Sequence, residues 1–408
     1  MDVLEQDFDF ILSTIRRVHP AYTQDSHMLD SAAAFLKQRY LGKEEARITF
    51  GRLTALPGDG HTNLEIPYHA NTPCLPLAVR WIKGELTVMR DYEFLRQGDR
   101  LQAICGISTN DYLGRLSRWL SHENQYLLLG RTTCYPQENH HLFSTLNLQA
   151  VFGFCQQYEL EAKRDEKQIS GALAPAPFSA VADSFDNPGF TDGKSIRTYY
   201  GHNGAAFCLD ANRDSPEFRD ELDRFFRTVT RQGIHRILLD LGRNLGGTDA
   251  VINTFLGYLA IDTYRGYGMK RRAEGGGIAF IRPRGEQIRP NPPADTPLYT
   301  GQLLCAVSPL TFSSARTMAV TLRDNNLATI VGEPTGGRPT SYGLPRRFTT
   351  PGLHIPFRVS TCEFQRPNAA QDDENSLIPD ILCPESPADA ANFSDENRNH
   401  RLDQLLSL

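Results

Sequence analysis

Apolar residues in DFDFILSTIRRV recur at three- and four-residue spacing up to the His19-Pro20 pair, which predicts an amphipathic helix that stops where proline forbids continuation. Residues 1 to about 56 read as helical. From Pro67 to about Leu148 the pattern changes to short apolar runs, CLPLAVRWI, ELTVM and RLQAICGI, separated by Gly, Asp and Asn; this predicts small strands and turns. The stretch GALAPAPFSAVADSFDNPGFTDGK is rich in Ala, Pro, Gly and Ser without a sustained period, as suits a linker. Beyond it, the strand-like runs GAAFCLD, IHRILLDL, QLLCAVSPL and ATIVGE alternate with the helical runs SPEFRDELDRFFRTVTRQG, DAVINTFLGYLAI and SSARTMAVTLRDN, which predicts βα units and a largely parallel sheet. The clearest helix spans 216–231, with Ser215 as N-cap, Pro216 in the first turn, and Phe218, Leu222, Phe225 and Val229 on one face. The expected division is an N-terminal helical segment (1–66), a small β-rich module (67–165), a linker (166–195), an α/β core (196–385) and a C-terminal tail (386–408).

With 408 residues the chain is long enough for two or three packed units, and no internal repeat is visible. Hydrophobic residues at 40% and charged residues at 22% describe a soluble globular protein rather than a disordered one. A net charge of −5, with basic residues scattered, offers no footprint for nucleic acid or an anionic membrane surface. No apolar window of about 18 residues occurs, so no membrane span is expected. Acidic residues in MDVLEQDFDF stand where an export signal carries basic ones. Eight dispersed cysteines without a CxxC pair fit reduced thiols, so a cytoplasmic setting is expected. Oligomeric state is left open, homo-oligomers included.

Chemistry concentrates in two places. In TFSSARTMAV, Ser313 and Ser314 open a helix directly after an apolar run. Such a serine is either a cap, accepting from a free amide of the first turn, or a nucleophile where amides and the helix dipole hold an oxyanion. In LLDLGRNLGGTDA a strand ends in Gly242, Gly246 and Gly247; the glycines allow backbone amides to face inward, although the same pattern also makes an ordinary βα turn. Neither this turn nor GEPTGGRPTS has the lysine of a phosphate-binding loop, so no nucleotide cofactor is expected.

LLDLGRNLGG and TFSSARTMAVTLRDNNLATIVGEPTGG, in that order, resemble the strand-turn and the nucleophile turn, helix and strand of the S41 peptidases, the C-terminal processing proteases with their tricorn-like and retinoid-binding-protein-like relatives. Gly242 stands where the family pattern has arginine. The resemblance covers residues 195 to 385 well and the N-terminal half weakly. It implies a crotonase/ClpP-like ββα spiral core, the family spacing back from Gly332 marks Ser313 as the nucleophile, and the amides of Ser314 and of Gly246 or Gly247 would form the oxyanion hole.

The lysine that serves as base in one branch of this family falls at Arg338, and arginine stays protonated at working pH. No lysine follows Lys270, so the base must come from elsewhere. Histidine is the chemical substitute. His61 lies in the distinctive turn LPGDGHTNLEI, and DGHT resembles the histidine-bearing segment of the tricorn-like branch, with Gly60 where tricorn has serine. The resemblance of QDDENSLIPD to the segment bearing an orienting glutamate points to Asp373 or Glu374, Glu374 being preferred; the alternative is a solvated acidic loop. Arg338 becomes available to bind a substrate carboxylate or carbonyl.

His140 and His141 are adjacent and form no metal-ligand spacing, so no metal is expected. His19, His27, His69, His122, His202, His235, His354 and His400 sit beside no comparable motif and read as structural or surface residues. LRQGDRLQAICGIS resembles the strand-turn of PDZ-like modules, which bind peptide termini by strand addition, and equally suits a plain β-turn. The expected function is a serine hydrolase that cleaves an amide bond of a peptide or small acyl substrate through an acyl-enzyme on Ser313, with His61 as base. Two alternatives remain: a non-catalytic binding module for an apolar small molecule or peptide, and an esterase or acyltransferase using the same residues.

Overall fold

In the computed structural model, which describes residues 2–22, 27–66, 71–133, 142–177, 195–273, 277–293, 295–386 and 395–408, the helix expected over 216–231 forms at Pro216–Arg231. Ser215 Oγ accepts the Phe218 amide (3.2 Å), and Phe218, Leu222, Phe225 and Val229 are buried on its inner face. Each such side chain contributes roughly 2 kcal/mol of apolar burial. Their target is a six-stranded sheet in the order Ile196–Gly201, Gly204–Leu209, Arg236–Asp240, Gln302–Val307, Thr329–Gly332 and Ile381–Leu382. The first pair is antiparallel and the remaining four pairings are parallel. Helices Pro216–Arg231, Ala250–Leu256 and Ser314–Asp324 bury one face of the sheet, and Leu402, Leu405 and Leu406 of Asp395–Leu406 cover the other. Residues past 386 therefore include a packed third layer rather than only a tail.

A second sheet, Val79–Ile82, Glu85–Val88, Arg100–Ile104, Tyr158–Arg164 and Lys167–Leu173, with Ile107–Ser108 paired to the third strand, has its own apolar core around Leu86, Leu101, Ile104 and Leu160. Three short helices, Thr109–Leu116, Gln125–Arg131 and Thr145–Phe152, belong to this region, where the sequence pattern predicted strands and turns alone. Their caps are Ser108, Asn124 and Ser144, each accepting from an amide three residues on. The linker expected from 166 is also displaced: 167–173 is an edge strand paired along its length with Tyr158–Arg164. Most of that linker, together with His69, His140 and His141, lies outside the described residues.

The N-terminal segment forms three helices, Val3–Val18, His27–Tyr40 and Ala46–Ala55. Its apolar faces close on a hairpin from the far end of the chain. Phe8, Ile11, Ile15, Phe50 and Leu53 pack with Ile355, Phe357 and Val359, and Asn63–Leu64 pairs with Pro356–Val359 beside Arg346–Thr349. Asp7 seals this contact by accepting the amides of Gly352 and Leu353 at 2.7 Å each. The turn that follows Ala46–Ala55 is thereby held against the core. No helix among the described residues is long and apolar enough to cross a membrane.

Candidate active site

Ser313 is the residue before the helix Ser314–Asp324, and its backbone lies at φ 53°, ψ −129°. This left-handed conformation strains a non-glycine residue and thrusts the side chain out of the strand-to-helix turn. It is not a cap: its side chain makes no capping hydrogen bond. The strain is held in place by Asn244, fully buried, whose carbonyl accepts the Phe312 amide (3.1 Å) and whose Nδ2 donates to Leu209 O and Asn212 Oδ1 (2.8 Å each). The glycine turn and the serine turn thus touch. A Cβ on Gly246, at φ 107°, would lie 2.6 Å from the Ser313 Cβ, so only glycine fits.

The Gly246 amide donates to Asn244 Oδ1 (2.8 Å) and is occupied, a difference from its expected place in an oxyanion hole. The amides of Gly247 and Ser314 are the neighbouring donors. The Ser314 hydroxyl is also taken, donating to Asp249 Oδ1 (2.6 Å) and accepting from Asn212 Nδ2 (3.0 Å).

His61 Nε2 lies 3.0 Å from Ser313 Oγ, across 252 positions of sequence. The imidazole stacks on Phe312 with ring centroids 4.6 Å apart and 25° between planes, and Phe312 is covered in turn by the Arg131 guanidinium. Gly60 leaves the space this packing needs: a Cβ there would come within 2.7 Å of Leu127 and 2.9 Å of Phe312.

The carboxylates near the imidazole are Asp59 and Glu123, not the expected pair. Glu374 is bonded to Arg366 (2.7 Å), a fully buried arginine that also binds Asp324, and Asp373 is exposed. Asp59 is wholly buried: its Oδ2 accepts Thr62 Oγ1 and Ser360 Oγ (2.6 Å each) and His19 Nε2 (3.2 Å), while Oδ1 accepts the His61 amide (2.9 Å) and lies 3.8 Å from His61 Nδ1. His19 Nδ1 accepts the Ala21 amide, which assigns the His19 proton to Nε2, facing Asp59. Burial pushes the Asp59 pKa up, but hydrogen bonds and charge from His19 and His61 outweigh it and hold the carboxyl well below the usual range.

Glu123, side chain 2% exposed, accepts Arg316 Nη1 (2.9 Å) and the Arg338 amide (2.7 Å) on Oε2. Arg338 therefore meets the site through its backbone; its exposed side chain donates to Asn375 Oδ1 (3.1 Å). Asp59, His19 and Glu123 are the members that sequence reading missed. Asp59 was visible within the quoted GDGH turn, two residues before the histidine; nothing in the spacing marks the other two.

Residues 209–382 match the model of peptidase family S41. Over that stretch the chain is similar to that family. This similarity supports a serine-type peptidase. The fold is similar to that of mature CPAF, at 15% identity and a TM-score of 0.70 over 99% of this chain and 98% of that one, and to mature CPAF complexed with lactacystin, at 14% and 0.70 over 99% of both. A putative peptidase from Parabacteroides merdae matches at 14% and 0.54 over 100% and 98%. No curated protein matches.

Proposed function

We propose that this S41 peptidase cleaves peptide bonds through an acyl-enzyme on Ser313, with His61 as general base and Asp59 as the carboxylate that orients it. The 3.0 Å approach of His61 Nε2 to a strained Ser313 carries this reading. His61 takes the hydroxyl proton as Oγ attacks the carbonyl, then returns it to the leaving amine; water repeats the sequence on the acyl-enzyme. The developing oxyanion is stabilised by the amides of Gly247 and Ser314 at the helix start. For Nε2 to accept, the imidazole proton resides on Nδ1, on the side of Asp59. Arg338 offers its exposed guanidinium to a substrate carboxylate or carbonyl.

The six-stranded sheet with its helices is read as a crotonase-like spiral, and the sheet spanning Val79 to Leu173 as a diverged PDZ-like module. A cytoplasmic setting goes with the buried free thiols of Cys74, Cys208, Cys305 and Cys362. A fluorophosphonate probe, with the adduct mapped by mass spectrometry, tests the reading. Labelling at Ser313 that vanishes in His61→Ala, together with turnover of peptides, is expected. Labelling with ester but no peptide turnover favours the esterase, and no labelling of the folded chain favours a binding module.

A further inference from the structure

Three polar atoms of His61, Asp59 and Glu123 converge on the side of the imidazole away from Ser313. Among the described residues, His61 Nδ1 and Glu123 Oε1 are buried without a hydrogen-bond partner, and Asp59 Oδ1 accepts the His61 amide. A ring nitrogen of His61 and one carboxylate oxygen each from Asp59 and Glu123 lie within 4.8 Å of one another. Buried polar atoms without partners are costly, and a cation that takes the Nδ1 lone pair and the carboxylate oxygens relieves them. Since Nε2 faces Ser313, the nitrogen turned to the carboxylates is Nδ1, 3.8 Å from Asp59 Oδ1.

We propose that Asp59, His61 and Glu123 form a reversible, inhibitory site for a zinc-like divalent cation. One imidazole nitrogen and two carboxylate oxygens with an open fourth position suit zinc or cobalt, whereas calcium and magnesium prefer oxygen ligands throughout. Ligand atoms on a tetrahedral zinc are separated by about 3.4 Å, so the cluster contracts by up to about 1.4 Å at its widest. Glu123 can supply that movement because only Oε2 is tied, to Arg316 and the Arg338 amide. Arg316 balances the Glu123 charge, which leaves Asp59 as the net negative charge and makes the cation exchangeable rather than structural. The His61 side chain is 13% exposed, so the cleft itself is the route in.

Inhibition follows from the two nitrogens of one ring, and this part rests on His61 acting as the base. A metal on Nδ1 takes the lone pair of that atom, so the single proton of the neutral ring moves from Nδ1 to Nε2 by exchange with solvent, with no net proton released by the imidazole. That nitrogen then donates to Ser313 and cannot accept its proton. The metal-bound and the active forms exclude each other.

Chelator-treated Ser313→Ala, titrated calorimetrically with Zn2+ alone, keeps all three ligands and reports binding without activity. One zinc per chain is expected, with affinity falling at least about tenfold in Glu123→Gln, as loss of a ligand requires. His61→Phe retains the stacking on Phe312 but loses the nitrogen, and serves if the first variant does not fold. Co2+ should give visible bands of a low-coordinate site in the parent and none in His61→Phe. Undiminished zinc affinity in the variants that fold means adventitious binding by other histidines and overturns the site. In the wild type, saturating zinc should slow fluorophosphonate labelling at least tenfold, and chelator should restore it; zinc bound at these residues with no change in labelling rate overturns the inhibition. Failure of metal-free protein to label refutes the acyl-enzyme instead, and the calorimetry still reads the metal site.

Discussion

The Ser313 turn and the His61 turn meet at 3.0 Å, and the two are built on different principles. Ser313 stands at the junction of a parallel strand and the helix that covers it, with Asn244 from the adjacent strand-turn holding its backbone. Short-range connectivity and one buried amide set its position. His61 has no such local frame. Its turn follows a helix whose apolar face closes on Phe357 and Val359, nearly three hundred residues on, and its carboxylate partner Asp59 is fixed by Ser360 from that same far segment. A side chain built into a sheet is rigid by default; one carried on a docked segment is as well placed as the docking.

The sharpest way to break this comparison is His61→Ala, which should lower turnover about a thousandfold or more while leaving the thermal midpoint near that of the parent, as removal of one triad member does. Near-normal turnover in a variant whose Ser313 still labels would require another base. Asp59→Asn comes next. A loss of at least about a hundredfold is expected, with roughly 1–3 kcal/mol of stability, because the amide cannot accept on both oxygens as the carboxylate does. Equal stability in denaturant titrations would mean that Thr62, Ser360 and His19 do not depend on that charge.

Docking is probed by Phe357→Ala, which removes a fully buried ring at the meeting of the N-terminal helices and the hairpin. A cost of about 3–5 kcal/mol is expected. If the comparison is right, labelling of Ser313 falls more steeply on warming than circular dichroism of the core does. Coincident loss would make the two regions one cooperative unit.

The acid limb of the stability curve sharpens the same point. The folded pKa of Asp59 is depressed, so its contribution is complete above the unfolded value of about 3.9 and is lost as pH falls through the folded value. Asp59→Asn should flatten that limb below about pH 4 and leave the slope near neutrality unchanged. The smallest effect belongs to Arg338→Lys. The parent side chain is exposed and Glu123 is held by the backbone amide, so this change should alter turnover by less than about tenfold and should not shift the pH profile toward a lysine base, since an exposed lysine keeps its pKa near 10.

Local pattern and motif order carried the α/β core, the helix Pro216–Arg231 with its Ser215 cap, and the candidate roles of Ser313 and His61, because these depend on periodicity and on residues close together in the chain. Helices of seven or eight residues, such as Gln125–Arg131, are too short to show a period and escaped that reading. The choice of carboxylate was beyond it altogether. Asp373, Glu374, Asp59 and Glu123 are chemically alike in sequence, and only the folded chain assigns Glu374 to the buried Arg366 while placing Asp59 beside His61. Burial of one side chain against another is a property of long-range packing, and packing of the N-terminal helices on the 346–359 hairpin decided which acid the histidine meets.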